Sequence, residues 1–246
     1  IPGAITVTNH TGGSVTFRVE TIGDATLYLG DCAEVMASWP ECFRVDAVVT
    51  DPPYGIGFAA QPTRYQRANG MVAQAWDDVA PQGLVEAAVG KADVAIVWGG
   101  QYFSFPPSRG WLIWSKTGNA PSMSDVEMAW TSIDMNARSF EKSVKSSSLE
   151  KNLQTAAHPS QKPLALMEWC LGFLPGARTI LDPFMGSGTT GVACVKSDRA
   201  FIGIEREPAY FDIACRRIGE AYKQPRLFAE PTPKPTQSTL SLEPSP

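Results

Sequence analysis

The chain has 246 residues, 43% of them hydrophobic and 19% charged, with a formal net charge of −4. That is enough for one sizeable α/β core or at most two small domains; it excludes a disordered chain and argues against a basic nucleic-acid coat protein. Five cysteines without zinc-type spacing and only two histidines support neither a metal site nor a disulfide scaffold, and no apolar run approaches the ~18–20 residues of a membrane helix.

In chain order, residues 1–24 read as an N-terminal extension lacking the basic and apolar regions of a signal peptide. With the cysteines as reduced thiols, the expected location is the cytoplasm, and Asn9-His10-Thr11 matches a glycosylation sequon by chance. Strands are predicted over 25–30 and 45–50, the second an apolar VDAVVT run halting at Asp51-Pro52-Pro53-Tyr54, with a short helix over 32–39 between them. Residues 55–78 lack any period and read as a long mobile loop. A helix over 84–89 precedes a buried strand over 92–98, which ends in Gly99-Gly100. Residues 111–115 and 126–131 are spaced like an antiparallel pair, and 133–157 is a weakly patterned insertion. A helix over 163–173, a strand over 178–181, a glycine turn with a helix to 194, a strand over 200–204 and a helix over 210–222 follow. The Pro-, Ser- and Thr-rich residues 224–246 read as a disordered tail. Strands alternating with helices imply one α/β domain over 25–223. Its sheet is mixed and mostly parallel, with helices on both faces and an antiparallel hairpin at one edge.

Two motifs carry chemistry. Asp182-Pro183-Phe184-Met185-Gly186-Ser187-Gly188-Thr189-Thr190 links a strand to a helix. Its glycines permit a sharp turn and close approach of a ligand, and the helix start adds unpaired N–H groups. Glu205 ends the next strand, about 20 residues on, at the spacing that brings an acid to ribose hydroxyls. The turn is not a P-loop and lacks the third glycine of the dinucleotide fingerprint. In Asp51-Pro52-Pro53-Tyr54, two prolines remove backbone donors and leave carbonyls free to accept. Asp51 adds a carboxylate and Tyr54 a stacking ring, a combination suited to a planar group bearing an exocyclic –NH₂. Both motifs sit at strand ends, where ligands bind in open α/β sheets.

Together, and in this order, these motifs resemble the β group of DNA amino-methyltransferases. His158-Pro159-Ser160-Gln161-Lys162-Pro163 is similar to that family's segment ahead of the glycine-motif strand, and Leu29-Gly30-Asp31-Cys32 to its adenine-ring segment. Trp111–Trp114 and Ser124–Trp130 are similar to its two later strands. The resemblance covers roughly residues 25–222 and implies a Rossmann-like methyltransferase fold. It also implies the cofactor S-adenosyl-L-methionine and methyl transfer to adenine N6 or cytosine N4 of a base taken out of double-stranded DNA.

By the same resemblance, Asp51, Pro52, Pro53 and Tyr54 form the catalytic motif. Glu205 binds the ribose, Asp31 and Cys32 the cofactor's adenine, and Asp182, Phe184, Gly186, Gly188 and Thr189 line the methionine and ribose. His158, Ser160 and Lys162 approach the methionine end. Cations in the two polar insertions (Arg64, Arg67, Arg138, Lys142 and Lys145) are the candidate DNA contacts, with 133–157 as a short target-recognition segment. An initial Asp favours adenine N6, since Ser is more usual for cytosine N4. An RNA or protein amide methyltransferase would place the glycine motif earlier, and an inactive partner subunit would not need the intact motifs. The resemblance also implies a bacterial or phage-encoded protein. A homodimer and a cognate restriction endonuclease are the further partners it leaves open; no membrane is expected.

Overall fold

A computed structural model describes residues 3–8, 14–57, 79–117, 124–143 and 161–224. The strands are β1 (Gly3–Thr8), β2 (Ser14–Ile22), β3 (Ala25–Leu29), β4 (Val45–Thr50), β5 (Ala92–Trp98), β6 (Trp111–Thr117), β7 (Val126–Thr131), β8 (Arg138–Ser143), β9 (Thr179–Asp182) and β10 (Ala200–Glu205). The helices are α1 (Cys32–Ala37), α2 (Gln82–Val89), α3 (Leu164–Leu171), α4 (Thr189–Lys196) and α5 (Pro208–Lys223), with a 3₁₀ turn at Gly100–Tyr102. All ten strands form one sheet in the order β1-β2-β3-β10-β9-β4-β5-β7-β6-β8. The central strands β3, β10, β9, β4 and β5 are parallel. Antiparallel strands flank them on both sides.

The parallel strands are mostly apolar because both of their faces are covered, with polar residues confined largely to their ends. Successive side chains alternate faces. Ala47, Val49, Ile96, Trp98 and Ile180 therefore pack in one core with α3, α4 and α5. Val48, Ala95, Val97 and Leu181 pack in the other with α1 and α2. Each Leu, Ile or Phe fully buried this way contributes about 1.5–3 kcal/mol. Among the described residues no helix is long and apolar enough to cross a membrane.

Two expectations need correction. Residues 1–24 are not simply an extension, because β1 and β2 continue the sheet outward from β3. In β2, Phe17 and Val19 are buried and alternate with polar positions, which is the strand period. The β6–β7 hairpin is also not at the sheet's edge. Residues 138–143, within the expected insertion, form β8, which pairs parallel to β6 and becomes the edge. Its one large apolar residue, Phe140, packs on Trp169 of α3 at 5.4 Å between ring centroids. The reading of 58–78 as a mobile loop and the tail after 224 lie outside the described residues.

Parallel pairing brings the carboxyl ends of β3, β10, β9, β4 and β5 to one side of the molecule. The outer strands continue past that side. Trp98, the last residue of β5, is level with Ala129 and Leu112, while β6 runs on to Thr117.

Candidate active site

Five strand ends build the site. At the end of β9, Asp182 is 2% exposed. It accepts hydrogen bonds from Thr50 Oγ1 of β4 (2.7 Å), the Phe184 N–H (3.1 Å) and Thr190 Oγ1 of α4 (2.7 Å). It therefore ties two strands, the glycine turn and a helix together. Burial pushes its carboxyl up to about 6 despite those donors. Asp182 thus faces the protein's own groups. The same is true of Thr189, which is buried beside Arg217.

Arg217 of α5 supports the turn from beneath. Its Nη1 donates to the Ser187 carbonyl (2.6 Å), Ser187 Oγ (2.8 Å) and Thr189 Oγ1 (3.2 Å). Burial pulls its guanidinium down to about 10. Gly186 and Gly188 both adopt positive φ, +52° and +77°. A Cβ on Gly188 would lie 2.9 Å from the Ala214 Cβ of α5, so only glycine fits there. A Cβ on Gly186 would meet nothing within 4 Å. The turn is packed from behind and open in front, as a turn that admits a ligand must be.

Glu205, at the end of β10, lies on this open side. Its Oε1 accepts from the Glu207 N–H at 2.8 Å. Burial pushes its carboxyl up, while the N–H groups of Glu207, Arg206 and Gly186 pull it down. The Gly30 N–H donates to the Glu205 carbonyl at 3.0 Å, which brings the end of β3 alongside. There Asp31 caps α1 through the Ala33 N–H at 2.8 Å. Cys32 is buried, and its thiol is pushed up to about 11, so it is a neutral group at this pocket's margin.

One strand away, at the end of β4, the second cluster forms. Asp51 Oδ1 accepts from Tyr54 Oη at 2.5 Å, and Asp51 Oδ2 from Lys162 Nζ at 2.6 Å. Lys162 Nζ also donates to Tyr54 Oη at 3.1 Å and stands 5.6 Å from the Trp98 ring centroid. Glu127 Oε2 of β7 is 2.9 Å from the same ammonium, and its Oε1 pairs with Lys116 of β6. Burial pushes Asp51 up and Lys162 draws it back. Lys162 and Lys116 outweigh burial at Glu127 and hold it down at about 2.

Backbone geometry makes room for Tyr54. Gly99 has φ +67°, and a Cβ there would fall on the Tyr54 ring. The Tyr54 ring stacks on Tyr102, with centroids 5.2 Å apart and planes at 22°.

The structure thus brings together Asp51, Pro52, Pro53, Tyr54, Lys162, Asp182, Phe184, Gly186, Gly188, Thr189 and Glu205, with Asp31 and Cys32 beside them. Lys162 lies against Asp51. Lys142 lies near the end of β8, and Arg138 is exposed at its start, level with Leu112 of β6. His158, Ser160, Arg64, Arg67 and Lys145 lie outside the described residues. Sequence reasoning missed Glu127, Lys116, Arg217, Thr50 and Thr190. Glu127 carries a signal, since it is a charge in an otherwise strand-forming VEMAWT segment.

Comparison with known proteins fits this geometry. A family model described as DNA methylase, of N6/N4 type, matches residues 91–216, over half of the chain. Type II methyltransferase M2.MboI of Moraxella bovis is 48% identical over 64 residues, 26% of this chain and 23% of that protein. Type II methyltransferase M2.DpnII of Streptococcus pneumoniae is 45% identical over 80 residues, 31% of this chain and 30% of that protein. The chain therefore spans less than a third of the length of these curated relatives. The solved structure of PvuII DNA methyltransferase (cytosine-N4-specific) superposes with a TM-score of 0.53 at 19% identity, over 82% of this chain and 93% of that one, and shares its fold. On the strength of the family match, the chain belongs to the N6/N4-type DNA methylases.

Proposed function

We propose that this chain transfers a methyl group from S-adenosyl-L-methionine to the exocyclic N6 of an adenine taken out of double-stranded DNA. The observation that carries the reading is the adjacency of two clusters. Thr50 and Asp51 are consecutive at the end of β4, and the Thr50 hydroxyl is bonded to Asp182 at the base of the glycine turn. Aimed acceptors therefore lie one strand from a cradle with the chemistry of a nucleoside site.

The cradle fits the cofactor in three respects. Gly186 opens on free space, Glu205 presents a carboxylate suited to a pair of ribose hydroxyls, and Asp31 with the Cys32 backbone lies beside it. When bound, S-adenosylmethionine supplies an electrophilic methyl group. The chain's own residues supply position and charge. Asp51 and the Pro52 carbonyl accept from the target amine, which localises its lone pair on nitrogen. Asp51, holding that amine, is also the base offered for the proton that nitrogen sheds. Most of the acceleration is then positioning and aimed acceptors. Enzymes acting on bases take them out of the stack. Tyr54 provides the face for that base, and Tyr102, 44% exposed, occupies its place until the base arrives. Asp51 at the motif's first position favours adenine over cytosine. Arg64, Arg67, Arg138, Lys142 and Lys145 are the proposed DNA contacts.

The test is incubation with plain duplex DNA and the cofactor, followed by mass spectrometry of the nucleosides. N6-methyladenine is expected. N4-methylcytosine alone would overturn the choice of base, and no methylation despite measured cofactor binding would overturn the activity. Asp51→Ala is expected to slow transfer about 100-fold or more, the scale of losing an aimed polar group, with cofactor affinity little changed. Glu205→Ala is expected to weaken cofactor binding about 10–100-fold, as read by calorimetry.

A further inference from the structure

Four charges form a continuous row of alternating sign. Asp51 Oδ2 meets Lys162 Nζ at 2.6 Å, Lys162 Nζ meets Glu127 Oε2 at 2.9 Å, and Glu127 Oε1 meets Lys116 Nζ. The four come from separate segments: the end of β4, the residues ahead of α3, β7 and β6. The two ammonium groups are almost completely enclosed, with side-chain exposures of 6% for Lys162 and 7% for Lys116. Enclosing charges is costly, and well-packed apolar side chains of similar volume would usually serve stability as well or better. Such a row is therefore more than scaffolding. An ammonium has three N–H groups, and those of Lys162 have Asp51, Tyr54 and Glu127 around them. That arrangement directs Lys162 at the acceptor carboxylate.

Resting on the proposed methyl transfer, we propose that Lys162, Glu127 and Lys116 are positioning residues that set how firmly Asp51 holds a proton. Lys162 alone would stabilise the Asp51 anion and make it a weak base. Glu127 offsets that pull, and Lys116 in turn moderates Glu127. The strength of Asp51 as an acceptor then follows from the balance of the row, and acceptor strength tracks rate in general base chemistry. Among the described residues, the charged or titratable groups acting on Asp51 are Lys162, Tyr54 and Glu127, with Asp182 coupled to it from β9.

The row makes a prediction with alternating sign. Removing a positive charge disfavours the Asp51 anion, and removing a negative one favours it. Lys162→Met should move the acid limb of the single-turnover rate to higher pH by about one unit or more, the usual scale for a nearby opposite charge. Glu127→Gln should move it to lower pH and also slow the plateau. Lys116→Met should move it up again, by less, and Lys162→Arg should restore the wild-type limb. The experiment is single-turnover methyl transfer at saturating cofactor against pH. It is paired with a ¹³C NMR titration of the Asp51 carboxyl carbon in the same proteins without cofactor or DNA. Opposed displacements in the Lys162→Met and Glu127→Gln variants are expected. Coincident titrations, or displacements of one sign, would overturn the proposal. If Lys162→Met does not fold, Lys116→Met against Glu127→Gln gives the same opposed pair. A wild-type chain that moves no methyl would count against the proposed function, and the carbon titration would still decide this inference.

Discussion

Asp182 shows how one residue can hold a site together at a cost in stability. Its carboxylate has three donors, yet burial pushes its carboxyl up to about 6. In the unfolded chain an aspartate releases its proton near pH 3.9, by about that value. Between about pH 4 and 6 the folded protein therefore holds a proton that the unfolded chain has lost, and stability falls as pH rises through that window. A shift of about two units corresponds to about 3 kcal/mol. Asp182→Asn should remove this dependence, because its amide can still accept from Phe184 and donate toward a threonine hydroxyl. Thermal melts from pH 4.5 to 8 check it. The gap between variant and wild type should widen in the variant's favour as pH rises, and parallel curves would refute the account.

At the level of elements, β2 contributes more than its place near the chain start suggests. Phe17 and Val19 are buried in the core beside α1, and Arg18 lies 5.0 Å from the Phe211 ring centroid of α5 and 2.8 Å from Asp212. Deleting residues 1–22 would uncover the edge of β3 and remove the buried side chains of Phe17 and Val19, together about 3–6 kcal/mol. That is a large part of the stability of an ordinary domain. The truncated chain should unfold at markedly lower urea concentration, and an unchanged midpoint would show β1 and β2 to be ornamental. Element type was legible wherever a run was mostly apolar and rich in valine, as in VDAVVT and ADVAIVW, each with a single aspartate near its start, because such short runs between turn signals read as buried strands. β8 was not legible. RSFEKS has one large apolar residue, and its pairing is decided by the open edge of β6 and by Trp169, neither of which is a local property.

For the molecule as a whole, the motifs named residues that the fold gathers at the strand ends but not how they meet. Asp51 and Lys162 are 111 positions apart, and nothing in their spacing signals an ion pair. The glycines were readable because backbone turns are local. The acidic balance was read against nucleic acid and is better read by location. Asp51, Asp182, Glu127 and Glu205 serve the site, while Arg138, a candidate DNA contact, is exposed at the start of β8. With all five candidate cations on phosphates, affinity for duplex DNA should fall about 500-fold between 50 and 200 mM salt, from a slope of about −0.9 per contact. Fluorescence anisotropy across that range checks it, and an affinity indifferent to salt would remove phosphate contacts from the account.

The order of strands also constrains how this chain comes into being. In the middle of the sheet, Ala25 sits beside Phe201 and Ala47 beside Ile180, so β3 and β4 each have one neighbour close in sequence and one from late in the described chain. During synthesis β3 and β4 emerge with apolar side chains and open backbone groups long before β9 and β10 exist. Closing such distant pairs is slow, because chain entropy is lost before the contacts reward it. The central sheet assembles only once nearly all of the described chain is available. Until then one edge of β3 and one of β4 stay unpaired, and unpaired strand edges are prone to aggregation.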